Sequence, residues 1–391
     1  MTRTAPWLAA GAMLAAAGAV AGCGSSASSS APTQGTGGVA PATVTMATSI
    51  ATSADDWAVV PVSAGPAFWE VFARAASSGT WRLVTPPGVA DNGGLVASAG
   101  AAKSLTVAVL PSQDLVFSPI AQTVDGGASW STGGPINAAV AASPGAFAAD
   151  GSHLAALLSD GTIETSSDAG ATWSTLAKPG AIAASPAAKG CGGPVQVTSL
   201  SFGMTGADVL VSGTCGTSGT TAIFSYSPGL GWQRESLPVS GQVVRFTGDT
   251  ALVRGKAGLT ALYRGFGWYA YAPLESTAPV PAAWSASGAL PVSGPVNASG
   301  TLAGSGTWVL LTDGRAATIG APTATASAPP QWVPLPPVPV HTSVLASGPD
   351  GSVDALAVSG ETLTVWRLVP KATAWSKVQA MSVPIQVGSS S

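Results

Sequence analysis

Short apolar runs closed by turn residues recur along this chain. Residues 154–158 (LAALL) are apolar, Ser159-Asp160-Gly161 supplies a hairpin turn, and residues 162–166 carry the chain back. Upstream, residues 105–110 precede the turn Pro111-Ser112-Gln113-Asp114 and the return run 115–124. Downstream, residues 195–202, the turn Met204-Thr205-Gly206-Ala207 and residues 209–212 repeat the arrangement. Runs of this length, bounded by Gly, Pro, Asp and Ser, read as antiparallel strands joined by tight turns.

Two of these hairpins lead into near-copies of one segment. Thr123-Val124-Asp125-Gly126-Gly127-Ala128-Ser129-Trp130 and Ser166-Ser167-Asp168-Ala169-Gly170-Ala171-Thr172-Trp173 place both aspartates and both tryptophans 43 residues apart. An offset of that size, repeated, marks a modular fold. Asp and Ser/Thr side chains bond backbone N–H groups a few residues on, and Gly supplies positive φ, so the segment predicts a structured turn. An aspartate held by turn amides is poorly placed for acid/base work. The tryptophan that follows opens the next strand, where its ring fills the space between stacked sheets.

A search for further strand-opening tryptophans gives Trp81, Trp130, Trp173, Trp232, Trp268, Trp332 and Trp375, spaced 49, 43, 59, 36, 64 and 43 residues apart. Each is followed by a proline within nine residues, which suits a strand end or outer edge and not a sheet interior. The pattern Ser/Thr-x-Asp-x-Gly-x-Ser/Thr-Trp, carried by Thr123, Asp125, Gly127, Ser129 and Trp130 and by Ser166, Asp168, Gly170, Thr172 and Trp173, resembles the Asp-box, or BNR repeat, of β-propellers. Sialidases, sortilin-like receptors and photosystem-assembly factors share that repeat. The resemblance implies an all-β, seven-bladed propeller of four-stranded antiparallel blades, with the box between the third and fourth strands. Six or eight blades is the alternative, with Trp284 or Trp308 marking an extra one. The aspartate is missing from the corresponding segments before Trp232 and Trp268. Ring closure is expected to pair the strand 42–49 or the terminal run 383–387 with the opposite end of the chain, removing the open edge.

Composition agrees with an all-β chain: only 8% of the 391 residues are charged, 46% are hydrophobic, and there are 49 Gly and 31 Pro. Formal net charge is −3 with the basic residues scattered, so no nucleic-acid surface is expected. Residues 1–22 join Arg3, the apolar run 8–20 and Val20-Ala21-Gly22-Cys23. These are the marks of a signal peptide. Val-Ala-Gly-Cys resembles the bacterial lipobox, which implies lipidation of Cys23 and anchorage to the outer face of the bacterial cell membrane. Residues 23–43 read as a flexible Ser/Gly/Pro-rich tether and residues 44–391 as the propeller. The remaining cysteines, Cys191 and Cys215, are expected to pair in an oxidising compartment.

Candidate chemistry is sparse. The resemblance to sialidases does not extend to an Arg-Ile-Pro segment or a visible arginine cluster. Arg74, Arg82, Arg234, Arg264, Arg315 and Arg367 are expected away from the channel, and only Arg245 and Arg254 near an inner strand. Tyr263, Tyr269 and Tyr271 cluster around Trp268 as packing. Asp91, Asp150, Asp208, Asp249 and Asp350 could supply a glycosidase pair, but read better as turn aspartates. His153 and His341 stand alone. No catalytic, cofactor or metal residues are assigned. The expectation is a monomeric, surface-anchored binding or assembly module for a protein or glycan, with residues 276–300 and the region of Cys191 as contact loops. The alternatives are a glycoside hydrolase and an assembly factor for a membrane complex.

Overall fold

A computed structural model describes residues 47–384, with breaks at 63–68, 88–91, 100–101, 112–116, 135, 137, 142, 144, 204–207, 217–218, 248–249, 266–283, 293 and 323–327. The expected signal peptide, Cys23 and tether lie outside the described residues, as do Trp268, Tyr269, Tyr271, Asp91 and Asp249.

The described strands form seven four-stranded antiparallel sheets, each a meander in chain order. These blades span residues 48–83, 92–132, 147–177, 195–234, 242–286, 296–334 and 342–382. A blade is covered by a neighbour on both faces, so its middle strands need no polar side. Asp55–Pro61 and Trp69–Ala75 are accordingly buried at six of seven positions each, and Gly258–Arg264 at all seven. Outer strands are shorter and wetter: Arg82–Leu83, Ser131–Thr132 and Val333–Pro334 have two residues each.

The core is a set of apolar layers between neighbouring blades. One layer joins Val96 and Ile120 of blade two to Leu154 of blade three and Phe224 of blade four. Others join blades one and two, four and five, and five and six. The layer holding Phe72 of blade one, Leu310 of blade six and Leu356 of blade seven completes the ring.

Three expectations are corrected. Blade five closes on Trp284–Ala286, which pairs with Leu262–Arg264, so its closing tryptophan is Trp284 and not Trp268. With Trp284 in place the uneven spacings of 36 and 64 become 52 and 48. Trp308 marks no extra blade, since it lies fully buried in the second strand of blade six, Gly306–Leu311. Finally, among the described residues no strand is shared between the chain ends, while residues 42–46 and 385–387 of the expected closing runs lie outside them. Thr48–Ala51 is the first strand of blade one, and Ser376–Ser382 the last of blade seven.

Candidate functional site

In a four-stranded meander, the turns joining strands one to two and three to four fall at one end. The turn joining two to three, and the connection to the next blade, fall at the other. The disc therefore has a box end, carrying the segments around Asp125 and Asp168, and a connection end.

At the box end the two segments make the same bonds. Thr123 Oγ1 donates to Asp125 Oδ1 (2.8 Å) and accepts from the Gly127 amide (2.9 Å), while the Ser129 amide donates to Asp125 Oδ1 (2.9 Å). In blade three, Ser166 Oγ donates to Asp168 Oδ1 (2.7 Å) and accepts from the Gly170 amide (2.8 Å). The Thr172 amide and hydroxyl complete the set on Asp168 at 2.9 and 2.6 Å. These donors hold the Asp168 carboxyl down at about 2, with the Thr172 hydroxyl the largest cause, and Ser129 holds Asp125 lower still. Carboxylates so fixed in the ionised state are structural acceptors, not proton donors at neutral pH. Gly126 and Gly127 sit at φ 74° and 82°, whereas Ala169 and Gly170 occupy the same places at 58° and 84°.

Several closing tryptophans clip their blade to the one before. Trp130 Nε1 donates to the Val84 carbonyl (2.8 Å), Trp173 to Gly134 (3.3 Å) and Trp375 to Pro336 (3.4 Å). Each acceptor lies just beyond the outer strand of the preceding blade. Trp284 makes the equivalent contact through a side chain, Glu235 Oε2 at 3.3 Å, and Arg264 Nη2 binds Glu235 Oε1 at 3.1 Å.

At the seam between blades one and seven Trp81 Nε1 donates to Asp354 Oδ2 (3.0 Å), which also takes Arg367 Nη2 (2.9 Å). Gln379 brackets the Trp81 backbone from both sides, at 2.8 and 2.7 Å. Arg74, fully buried, pairs with Asp56, donates to the Ser347 carbonyl (2.9 Å) and approaches Asp354 at 3.9 Å. Burial outweighs the Arg74 charge and pushes the Asp56 carboxyl up to about 6. This four-charge seam was not foreseen. Its members come from both ends of the chain, and no local pattern marks them.

The candidate catalytic groups each have a local setting. Asp150 is opposite His153 across a turn of blade three, and His153 packs on Phe202. Asp208 of blade four accepts from Ser227. Asp350 is exposed in a turn of blade seven, and His341 is exposed with φ 65°. Tyr263 is buried, donates to the Gly320 carbonyl (3.3 Å) and has its hydroxyl pushed well up by burial. Among the described residues no three His, Cys, Asp or Glu side chains gather as a metal site. Arg245 is on the inner strand Gln242–Thr247 as expected, with Nη1 on the Ser299 carbonyl (2.8 Å), and Arg254 is on the second strand, bonded to Gly294 (2.6 Å).

One long segment lies at the connection end. Between blades three and four the chain forms the helix Ala181–Ala184 and the 3-10 turn Pro186–Ala188 before Cys191. Cys191 and Cys215, at the end of the second strand of blade four, are a disulfide-capable pair with Cα atoms 4.7 Å apart. The segment 276–300 is only in small part a loop. Residues 276–283 lie outside the described residues, Trp284–Ala286 closes blade five, and Val296–Leu302 opens blade six.

No protein-family model matches the sequence, and no curated protein matches it. Solved structures are similar in fold. The periplasmic gluconolactonase PpgL of Pseudomonas aeruginosa is 12% identical with a TM-score of 0.51, over 85% of this chain and 97% of that one. YCF48 from Cyanidioschyzon merolae is 14% identical with a TM-score of 0.49, over 85% and 98%. A putative 6-phosphogluconolactonase from Bacteroides fragilis is 11% identical with a TM-score of 0.49, over 85% and 96%. At such identities the likeness shows the fold alone: this chain is a seven-bladed β-propeller.

Proposed function

We propose that this chain is a non-catalytic binding or assembly module for a protein or glycan, carried outside the cytoplasm by a lipid on Cys23. The observation that supports it most is how its carboxylates are used. Asp125 and Asp168 are absorbed in turns, Asp56 and Asp354 pair with arginines of their own blades, and Glu235 pairs with Arg264 of the next blade. Asp150, Asp208 and Asp350 sit on three different blades. Glycoside hydrolysis instead asks for two carboxyls about 5–10 Å apart across a substrate. The motif Val20-Ala21-Gly22-Cys23 supports the anchor, the turns at Asp125 and Asp168 support kinship with Asp-box propellers, and export supports a Cys191–Cys215 bond.

Partner contact is assigned to the connection end, whose segments carry no repeat constraint. The test is capture of a partner by in situ cross-linking in native membranes. Phe117→Asp and Lys189→Glu, at the connection end, should abolish the adduct. Val124→Asp and Leu230→Asp, at apolar sites of the box end more exposed than Phe117, should leave it intact. The opposite outcome would move the site to the box end, and a wild-type protein without lipid mass, recovered only from culture fluid, would sink the anchor.

A further inference from the structure

Arg74, Arg264, Arg315 and Arg367 each pair with an Asp or Glu. Arg245 and Arg254 of blade five do not. Among the described residues neither has a carboxylate at ion-pair distance, and each bonds instead to a main-chain carbonyl, Arg245 to Ser299 in blade six and Arg254 to Gly294 just before it. Both side chains are partly buried, and the Nε of each is buried without a partner. Burial pushes the Arg245 guanidinium down to about 10. A cation taken out of water without a counter-charge is costly.

Register puts the two arginines on one face. Arg245 is opposite Leu252, and Arg254 follows Leu252 by two residues on the same strand. Leu252 belongs to the apolar layer between blades five and six, so all three point towards blade six. Diagonal neighbours of this kind stand about 7–8 Å apart. Arg245 is at mid-depth on the inner strand, whereas Arg254 is at the connection end, two residues from the exposed Lys256. Ser299 is opposite Val309, which belongs to the same layer, so its hydroxyl faces blade five. That hydroxyl is fully buried and has no partner. Among the described residues of 242–334 the carboxylate is Asp313, already taken by Arg315.

The seam between blades five and six thus holds a cation and a spare hydroxyl with no acid to meet them. A carboxylate has the missing properties. Its two coplanar oxygens match the N–H edge of a guanidinium, and one of them can also accept from Ser299 Oγ. Its single charge balances Arg245, where a phosphate dianion would leave an excess. Arg254 and Lys256 at the mouth would draw an anion inward.

We propose that Arg245 and Ser299 form a binding site for a carboxylate group, entered from the connection end past Arg254. This rests on the binding-module reading and names the chemistry of one ligand, carried by a free small acid or by a chain terminus. The probes are acetate, N-acetylalanine and N-acetylalanine amide, titrated at constant ionic strength into the isotope-labelled full-length protein and followed through the arginine Nε–Hε resonances. At least one acid should saturably shift the resonance that is missing in Arg245→Gln, and the amide should shift none. Ser299→Ala keeps the carbonyl that Arg245 bonds, yet should weaken binding about tenfold. Arg245→Gln removes an uncompensated charge, so it should keep the melting temperature of the ligand-free protein; if it does not, Ser299→Ala decides. Tighter binding of N-acetylalanine assigns the site to a chain terminus, and tighter binding of acetate to a free acid. No saturable shift, an equal shift by the amide or by chloride, or binding unchanged in Ser299→Ala overturns the proposal while leaving partner capture through Phe117 and Lys189 standing.

Discussion

Asp168 and Asp56 show two opposite uses of a carboxylate. Asp168 is exposed and bound by three local donors, so its native pKa of about 2 lies below the unfolded value of 3.8. Its contribution is present above about pH 4 and lost as pH falls towards 2. Asp56 is buried, and its native value of about 6 lies above 3.8, so the folded protein holds the proton more tightly. Stability from this group therefore falls as pH rises from about 4 to about 6, and Asp56→Asn should flatten that part of a urea-midpoint profile while leaving the acid limb unchanged. An unchanged slope between pH 4 and 6 in the variant would refute the assignment. Ala169 holds φ 58° where blade two has a glycine. Ala169→Gly should thus raise unfolding free energy by about 1 kcal/mol, relieving left-handed strain. Asp168 was legible in the sequence because its partners Ser166 and Thr172 are near neighbours. Asp56 was not, because Asp354 and Ser347 reach its partner Arg74 only through the closed ring.

At the scale of elements, the closing tryptophan is the unit that repeats, and its indole N–H gives the repeat a physical meaning that the sequence did not express. Blade five shows why legibility ended there. Trp268 follows a Gly-rich segment and imitates a box, whereas Trp284 opens its strand after a Pro/Ala stretch without turn chemistry. What identifies Trp284 is tertiary: its contact with Glu235 and its place on Phe246, ring centroids 6.1 Å apart. Trp284→Ala should cost about 3–5 kcal/mol by leaving a cavity between blades four and five. Urea unfolding checks it, and a cost below 1 kcal/mol would return the blade to Trp268. For blade four, replacing both Cys191 and Cys215 by Ser should cost about 3 kcal/mol, given a sequence separation of 24. Two free thiols titrated in the exported wild-type protein would contradict the pairing.

On the scale of the whole molecule, seven sheets close into a ring, and among the described residues no strand is shared between first and last blades. The Asp56–Arg74–Asp354–Arg367 seam and the Gln379 clamp on Trp81 do that work. Seven blades followed from evenly recurring tryptophans and prolines. The mode of closure did not, since the seam's charged residues carry no local signature. The arrangement places the ionisable groups of the seam where they hold blades together. The proposed module is one that binds and does not react. The most direct measurement is of turnover: purified folded protein incubated with sialoside, glucan and xyloglucan substrates bearing a reporter group. The account predicts no release above a buffer blank at any pH between 4 and 8. Release that is lost in Asp150→Asn or Asp208→Asn, with the melting temperature unchanged, would contradict it and make the propeller a hydrolase.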